Sequence, residues 1–228
     1  MTAKKKIKAV VFDAYGTLFD VYSVLSLCDE LFPDQGQTLS QLWRAKQLEY
    51  TWLLSLMGRY EDFWQVTERA LRFACRALHL PCDSAQQARL MEAYFYLAPY
   101  PEVHQALAGL ADYPLAILSN GSPRMLTAAV SNANLLGTFA QLISVDEVGL
   151  YKPNPQVYQL AVEKLGLEAR LIGFVSSNSF DIIGAASFGF RTYWVNRAAN
   201  PLDELGFVPD MTISKLTDLV EILKQYGF

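Results

Sequence analysis

The sequence predicts an α/β fold: a doubly wound parallel sheet with a helical segment inserted after its first strand. Three observations predict it. Residues 7–12 (IKAVVF) form a short, β-branched, apolar run that ends in a polar, glycine-containing turn, DAYGT. Residues 19–97 carry no strand signal and read as helix after helix. From residue 102 onward, apolar strand-like runs alternate with helical ones.

Residues 7–12 are apolar on both alternating faces, as expected at the centre of a parallel sheet covered by helices. Within the insertion, residues 39–57 (LSQLWRAKQLEYTWLLSLM) contain no Gly or Pro. Leu39, Leu42, Trp43, Tyr50, Leu53, Leu54 and Met57 recur there at helical intervals, with Thr38 and Ser40 as candidate caps. Residues 61–78 and 84–97 read as two more helices, punctuated by Pro33, Gly36, Gly58 and Pro81. The insertion is therefore expected to hold about four helices. After Pro99 and Pro101 the expected order is helix 102–110, strand 115–118, helix 125–133, strand 142–145 and helix 156–165. Strand 171–175, helix 180–188, strand 192–195 and helix 215–226 complete it. Such alternation implies a parallel sheet wrapped on both faces. The expected division is a Rossmann-like core of residues 1–18 and 98–228 with a helical cap of residues 19–97.

Composition excludes several classes. The 228 residues are 52% hydrophobic and 18% charged, with mean hydropathy +0.13, enough apolar material for a packed core. A net charge of -4 and a pI of about 5.2 oppose nucleic-acid binding, which needs a basic surface. Lys4, Lys5 and Lys6 form the one basic cluster and read as a solvated tail. No apolar run is long enough to span a membrane, and no signal-peptide pattern is visible. Cys28, Cys75 and Cys82 form no CxxC pair and read as reduced thiols of a cytoplasmic protein. His79 and His104 are too few for a histidine metal site, and neither has a triad signature.

Chemistry concentrates where the predicted strands end, the edge at which open α/β sheets bind ligands. Asp13, Tyr15, Gly16 and Thr17 follow the first strand, and Ser119, Asn120, Gly121 and Ser122 the second. A loop carrying Lys152 and Pro153 follows the third, and Ser176, Ser177, Asn178 and Asp181 follow the fourth. Two carboxylates, a cation, an amide and several hydroxyls thus converge on one edge.

In that order, FDAYGT, LSNG, YKP and SSNSFD resemble the motif series of the haloacid dehalogenase superfamily, and more closely its L-2-haloacid dehalogenase branch. The resemblance covers nearly the whole chain, including LWRAKQLEYTW and the ending GFRTYWVNR. The SSN motif and the WRAKQLEYTW helix are its most specific parts. Most members of that superfamily transfer phosphoryl groups with a D-x-D motif and magnesium. Here Tyr15 stands at the second aspartate position, and a phenol with an ordinary pKa of about 10 is a poor proton donor at neutral pH. The last motif reads Ser176, Ser177, Asn178, leaving only Asp181 acidic, whereas magnesium favours carboxylates. A halide departs as a stable anion and needs neither acid nor metal. The resemblance therefore implies a hydrolase without metal or cofactor that converts short L-2-haloacids to D-2-hydroxyacids with inversion. Its partners would be a 2-haloalkanoate and water.

The same resemblance implies the roles. Asp13 would be the nucleophile that forms an ester at the halogen-bearing carbon, and Lys152 would hold it ionised. By periodicity alone Arg44 is an exposed helical arginine; the resemblance instead places it in the cleft, cradling the halide with Asn120. Ser119, with backbone N–H groups of the 13–17 turn, would hold the substrate carboxylate, and Tyr15 would join the substrate site. Asp181 would be the base or orienter of the hydrolytic water, positioned with Asn178 and Ser176. Thr17 and Tyr158 would brace Asp13 and Lys152. Leu48, Phe63 and Phe180 would form an apolar wall, with Phe180 standing where related enzymes tend to have tryptophan. A homodimer, formed through insertion helices carrying Trp43, Trp52 and Trp64, is also implied. Two alternatives stay open at this point: a phosphatase on the same fold, and a binding protein without catalysis.

Overall fold

The computed structural model describes residues 6–226. Lys4 and Lys5 of the basic cluster lie outside the described residues, and Lys6 is exposed. One parallel sheet contains β1 (Ala9–Phe12), β2 (Leu115–Ser119), β3 (Gln141–Ser144), β4 (Ile172–Ser176), β5 (Arg191–Val195) and β6 (Met211–Ile213), in the order β3-β2-β1-β4-β5-β6. All four residues of β1 are buried, as its two-faced apolar pattern requires. β1 pairs with β2 and β4, which sets Phe12 beside both Ile117 and Val175.

The described helices are α1 (Leu25–Leu31), α2 (Gly36–Leu56), α3 (Phe63–Ala77) and α4 (Ser84–Ala93) in the insertion. Then come α5 (Val103–Gly109), α6 (Pro123–Asn132), α7 (Pro155–Leu165), α8 (Ser179–Phe188) and α9 (Leu216–Tyr226). Right-handed crossovers put α5 and α6 on one face of the sheet and α7 and α8 on the other. Accordingly α7 packs on α8, while α9 returns to α5. The strand order reverses at β1, so the ligand crevice of such a sheet opens beyond the carboxyl end of this strand.

Several local expectations are corrected. α2 starts at Gly36, with Gln35 at the cap position making no side-chain bond, so Thr38 and Ser40 lie inside the helix. Gly36 is a close-packing residue and not a break: a Cβ there would lie 2.1 Å from Asp29 Oδ1 and 2.4 Å from its backbone N. α4 stops at Ala93, short of residue 97, because the chain turns there and buries Tyr94 and Leu97. β3 ends at Ser144, whose hydroxyl accepts from the Asp146 N–H (3.2 Å) and opens a short 3₁₀ turn. β6 was not expected: three edge residues, only Ile213 of them buried, are too few to show a period.

The insertion leaves and rejoins the sheet through adjacent segments. Asp20 N–H donates to the Ala98 carbonyl (2.8 Å) and Tyr100 N–H to the Leu18 carbonyl (3.0 Å). Inside it, Trp43 is buried, lies 5.1 Å from Tyr94 ring to ring, and donates through Nε1 to the Thr67 carbonyl (2.8 Å). That indole is therefore core, whereas Trp52 is exposed and Trp64 is half-buried, stacked on Phe95. Among the described residues, no helix is long and apolar enough to cross a membrane.

Candidate active site

Asp13 is the first residue past β1, and its N–H donates to the Val175 carbonyl (2.9 Å), so the carboxylate is aimed by the sheet itself. Its two oxygens are held differently. Oδ2 accepts from Thr17 Oγ1 (2.8 Å) and Asn178 Nδ2 (2.9 Å), while Oδ1 accepts from Lys152 Nζ (3.1 Å). Thr17 Oγ1 itself accepts from the Ser177 N–H (2.8 Å), which directs its own proton to Asp13. Ser176, fully buried, accepts from the Asn178 N–H (3.1 Å) and so shapes the loop that delivers the Asn178 amide.

Lys152 bridges two carboxylates in a site that is almost dry. Its Nζ lies 3.1 Å from Asp13 and 2.9 Å from Asp181, and the lysine is 1% exposed. Burial works against the ammonium, but Asp13 and Asp181 outweigh it and hold its pKa above the ordinary lysine value. One cation cannot neutralise two anions. Burial, with Asp13 adding to it, pushes the Asp181 carboxyl up to about 6 against the pull of Lys152. Tyr158 OH lies 2.9 Å from Asp181 Oδ1 and 3.1 Å from its backbone O, bracing it from α7.

Around Asp13 lies a tight cavity. The core lines it with Asp13, Tyr15, Asn120, Lys152, Asn178 and Phe180; α2 and α3 add Arg44, Leu48 and Phe63. Arg44 and Leu48 stand one helical turn apart on α2, so one face of this helix supplies both charge and apolar wall. Asn120 Oδ1 accepts from the Lys152 N–H (3.1 Å), which turns its amide NH₂ away from that bond. The buried Tyr15 hydroxyl has no hydrogen-bond partner within the protein, and burial holds its pKa above the ordinary phenol value, so it stays a donor. Gly121 makes room for this ring: a Cβ there would lie 2.5 Å from Tyr15 Cε2. Phe180 meets Trp52 of α2 edge-on, with centroids 5.3 Å apart. A larger cleft alongside shares Arg44 and Asn178 with the cavity. The groove between α2 and α3, lined by Tyr50, Leu53 and Cys75, holds none of the strand-end polar groups.

Five of the expected site residues do not line the cavity: Thr17, Ser119, Ser176, Tyr158 and Asp181. Four of them act on residues that do or on each other, as described. Ser119 is buried, and its hydroxyl accepts from the Gly121 N–H (3.0 Å), holding the turn that presents Asn120. Sequence reasoning missed Arg197. Its guanidinium donates to Thr17 O (3.0 Å), Gly16 O (3.3 Å) and Ser177 Oγ (2.9 Å), pairs with Glu102 (2.8 Å) and stacks on Tyr100. It thereby clamps the loops after β1 and β4 together. Its partners are remote in sequence, so no local spacing announces them.

The family model of haloacid dehalogenase-like hydrolases matches residues 7–189. The chain belongs to that family. It is 51% identical over 220 residues to the (S)-2-haloacid dehalogenase of Pseudomonas sp. (strain YL), covering 96% of this chain and 95% of that one. It is 45% identical to haloacetate dehalogenase H-2 of Moraxella sp. (strain B), covering 96% and 99%. Among solved structures, the L-2-haloacid dehalogenase from Xanthobacter autotrophicus with chloropropionic acid covalently bound superposes with a TM-score of 0.91 at 42% identity, covering 96% and 99%. This family member thus carries its nucleophile candidate and its cation on the strand ends of a fold shared with a protein caught in a covalent complex.

Proposed function

We propose that this hydrolase cleaves the carbon–halogen bond of short L-2-haloacids, giving D-2-hydroxyacids through an ester on Asp13, without a metal. The observation that carries the reading is the cavity itself. A carboxylate paired with a buried ammonium faces Arg44, amide donors and an apolar wall, and Tyr15 stands where a phosphatase needs an acid. The relatives named as (S)-2-haloacid and haloacetate dehalogenases support it.

Asp13 Oδ1 accepts fewer hydrogen bonds than Oδ2 and is the attacking oxygen. It forms a bond to C2 from the side opposite the halogen, and the C2–halogen bond breaks with its electron pair. One in-line displacement inverts the centre. Arg44 and the Asn120 NH₂ stabilise the departing halide. The Tyr15 hydroxyl, with the backbone N–H groups of Ala14 and Tyr15, holds the substrate carboxylate and so chooses the enantiomer, while Ser119 keeps the turn that presents Asn120. Leu48, Phe63 and Phe180 keep the displacement dry.

Water then attacks the ester carbonyl carbon. Oδ2 is now the carbonyl oxygen, and its donors Thr17 and Asn178 stabilise the negative charge that develops on it. Asp181, ionised and backed by Tyr158, takes up or directs the water proton through the Lys152 network. The Cγ–Oδ1 bond breaks, the proton taken from water passes to the departing C2 oxygen to give the hydroxyl of the product, and Asp13 is restored with the oxygen of the water in its carboxylate. The cap of residues 19–97 acts as the lid that excludes bulk water during the first step. In the cytoplasm it would work as a homodimer joined through the exposed Trp52, Leu53 and Leu56 of α2 and Met57 at its end.

The test is halide release from separate L- and D-2-chloropropionate in buffer containing EDTA. Release from the L enantiomer alone, undiminished by chelation, is expected. Release from neither, with magnesium-dependent hydrolysis of a phosphate ester instead, overturns the reading.

A further inference from the structure

The halide cradle assigned above depends on where the Arg44 guanidinium sits. Among the described residues, no carboxylate forms an ion pair with it. Its partner is the neutral amide of Gln47, three residues on in α2: Arg44 Nη1 donates to Gln47 Oε1 at 2.6 Å. Gln47 is fully buried, on a helix face where a leucine would pack without any polar cost.

The orientation of that amide is forced from α3. Thr67 Oγ1 donates its one proton to the Phe63 carbonyl (2.6 Å), which can only accept. The hydroxyl lone pairs must therefore accept, and Gln47 Nε2 donates to them at 2.7 Å. With its nitrogen committed to Thr67, the amide presents its oxygen to Arg44. A chain of one-way hydrogen bonds thus runs from the backbone of α3, at cavity-lining Phe63, to the guanidinium at the cavity edge.

We propose that Gln47, oriented by Thr67, is a positioning residue that fixes Arg44 in its halide-accepting pose and leaves its charge uncancelled. A carboxylate at residue 47 would tether Arg44 as firmly but would neutralise it. A neutral acceptor holds the arginine and keeps the full positive charge for the leaving anion. The inference rests on the proposed halide role of Arg44.

The experiment compares Gln47→Met, Gln47→Glu, Thr67→Val and Thr67→Ser with the wild type. The readouts are bromide affinity by calorimetric titration, product inhibition by bromide, kcat and KM for L-2-chloropropionate, and Tm. Gln47→Met and Thr67→Val are expected to weaken bromide binding and lower kcat by about tenfold or more, the scale of one hydrogen bond to a charged group. Thr67→Ser, which keeps the hydroxyl, is expected to restore both. Gln47→Glu is expected to lose bromide affinity at least as severely as Gln47→Met. If the variants lower Tm while the folded enzyme keeps its bromide affinity and kcat, Gln47 is a structural staple and the proposal fails. Gln47→Glu binding bromide like the wild type also overturns it. Should the wild type release no halide, the dehalogenase reading falls, and the bromide titrations still decide whether Gln47 prepares an anion site.

Discussion

Three buried charges meet at Lys152, and their imbalance has a measurable consequence. In the proposed mechanism Asp181 acts ionised, and burial has pushed its carboxyl up to about 6. Lowering the pH through that value protonates it, removes one of the two anions holding Lys152, and slows turnover. The kcat profile is therefore expected to show an acid limb near that pH that Asp181→Asn abolishes along with most of the activity. A wild-type profile flat down to the ordinary carboxylate range would contradict the assignment. Lys152, held above the ordinary lysine value, stays charged through neutrality and sets no limb there. A second residue-scale outcome concerns Gly121: Gly121→Ala drives a methyl into the Tyr15 ring. It is expected to cost about tenfold or more in kcat/KM, the scale of a small misplacement at a reacting centre. At this scale the sequence was informative about Asp13, Lys152 and Asn178, because each follows a strand that is itself readable. It was silent on Gln47 and Arg197. A buried glutamine on a long helix looks like any polar helix position, and the partners of Arg197 are brought together only by the folded chain.

At the scale of elements, α2 does two jobs with one face. Arg44, Leu48 and Trp52 recur at helical spacing; the first two line the cavity, and Trp52 backs Phe180 from outside it. Enlarging Phe180 to tryptophan is expected to narrow the cavity at its apolar wall. The kcat/KM for 2-chlorobutyrate should then fall by about tenfold relative to chloroacetate, within the discrimination that one methylene supports. An unchanged ratio would remove Phe180 from the specificity wall. The length of α2 was legible because no Gly or Pro interrupts residues 39–57. Its start was not, because Gly36 answers to Asp29 of α1, a tertiary contact that mimics a break in the sequence. Gly36→Ala is expected to destabilise the fold by about 1–3 kcal/mol, measurable as a fall in the denaturant midpoint.

For the whole molecule, the parallel sheet was legible because its central strands are buried on both faces and its helices alternate with them. β6 was not, since an edge strand of three residues owes its place to pairing with β5. Burial also makes the cysteines poor targets for alkylating agents, which react with the thiolate. Burial pushes Cys28 and Cys75 up to about 12 and raises Cys82 as well, so the thiols stay protonated at neutral pH. Native protein treated with iodoacetamide is therefore expected to keep Cys28 and Cys75 unmodified until it is unfolded, as read by peptide mass spectrometry. Rapid stoichiometric alkylation of either in the native state would contradict this.

The central claim is the ester on Asp13, and a single turnover in oxygen-18 water tests it most directly. With enzyme in excess over L-2-chloropropionate, water attacks the ester carbonyl and not C2. The heavy oxygen should therefore appear in the peptide containing Asp13, and the lactate hydroxyl should carry the ordinary isotope. Label in the lactate hydroxyl, with none in the Asp13 peptide, would mean that water attacks C2 directly, and the covalent account would be wrong.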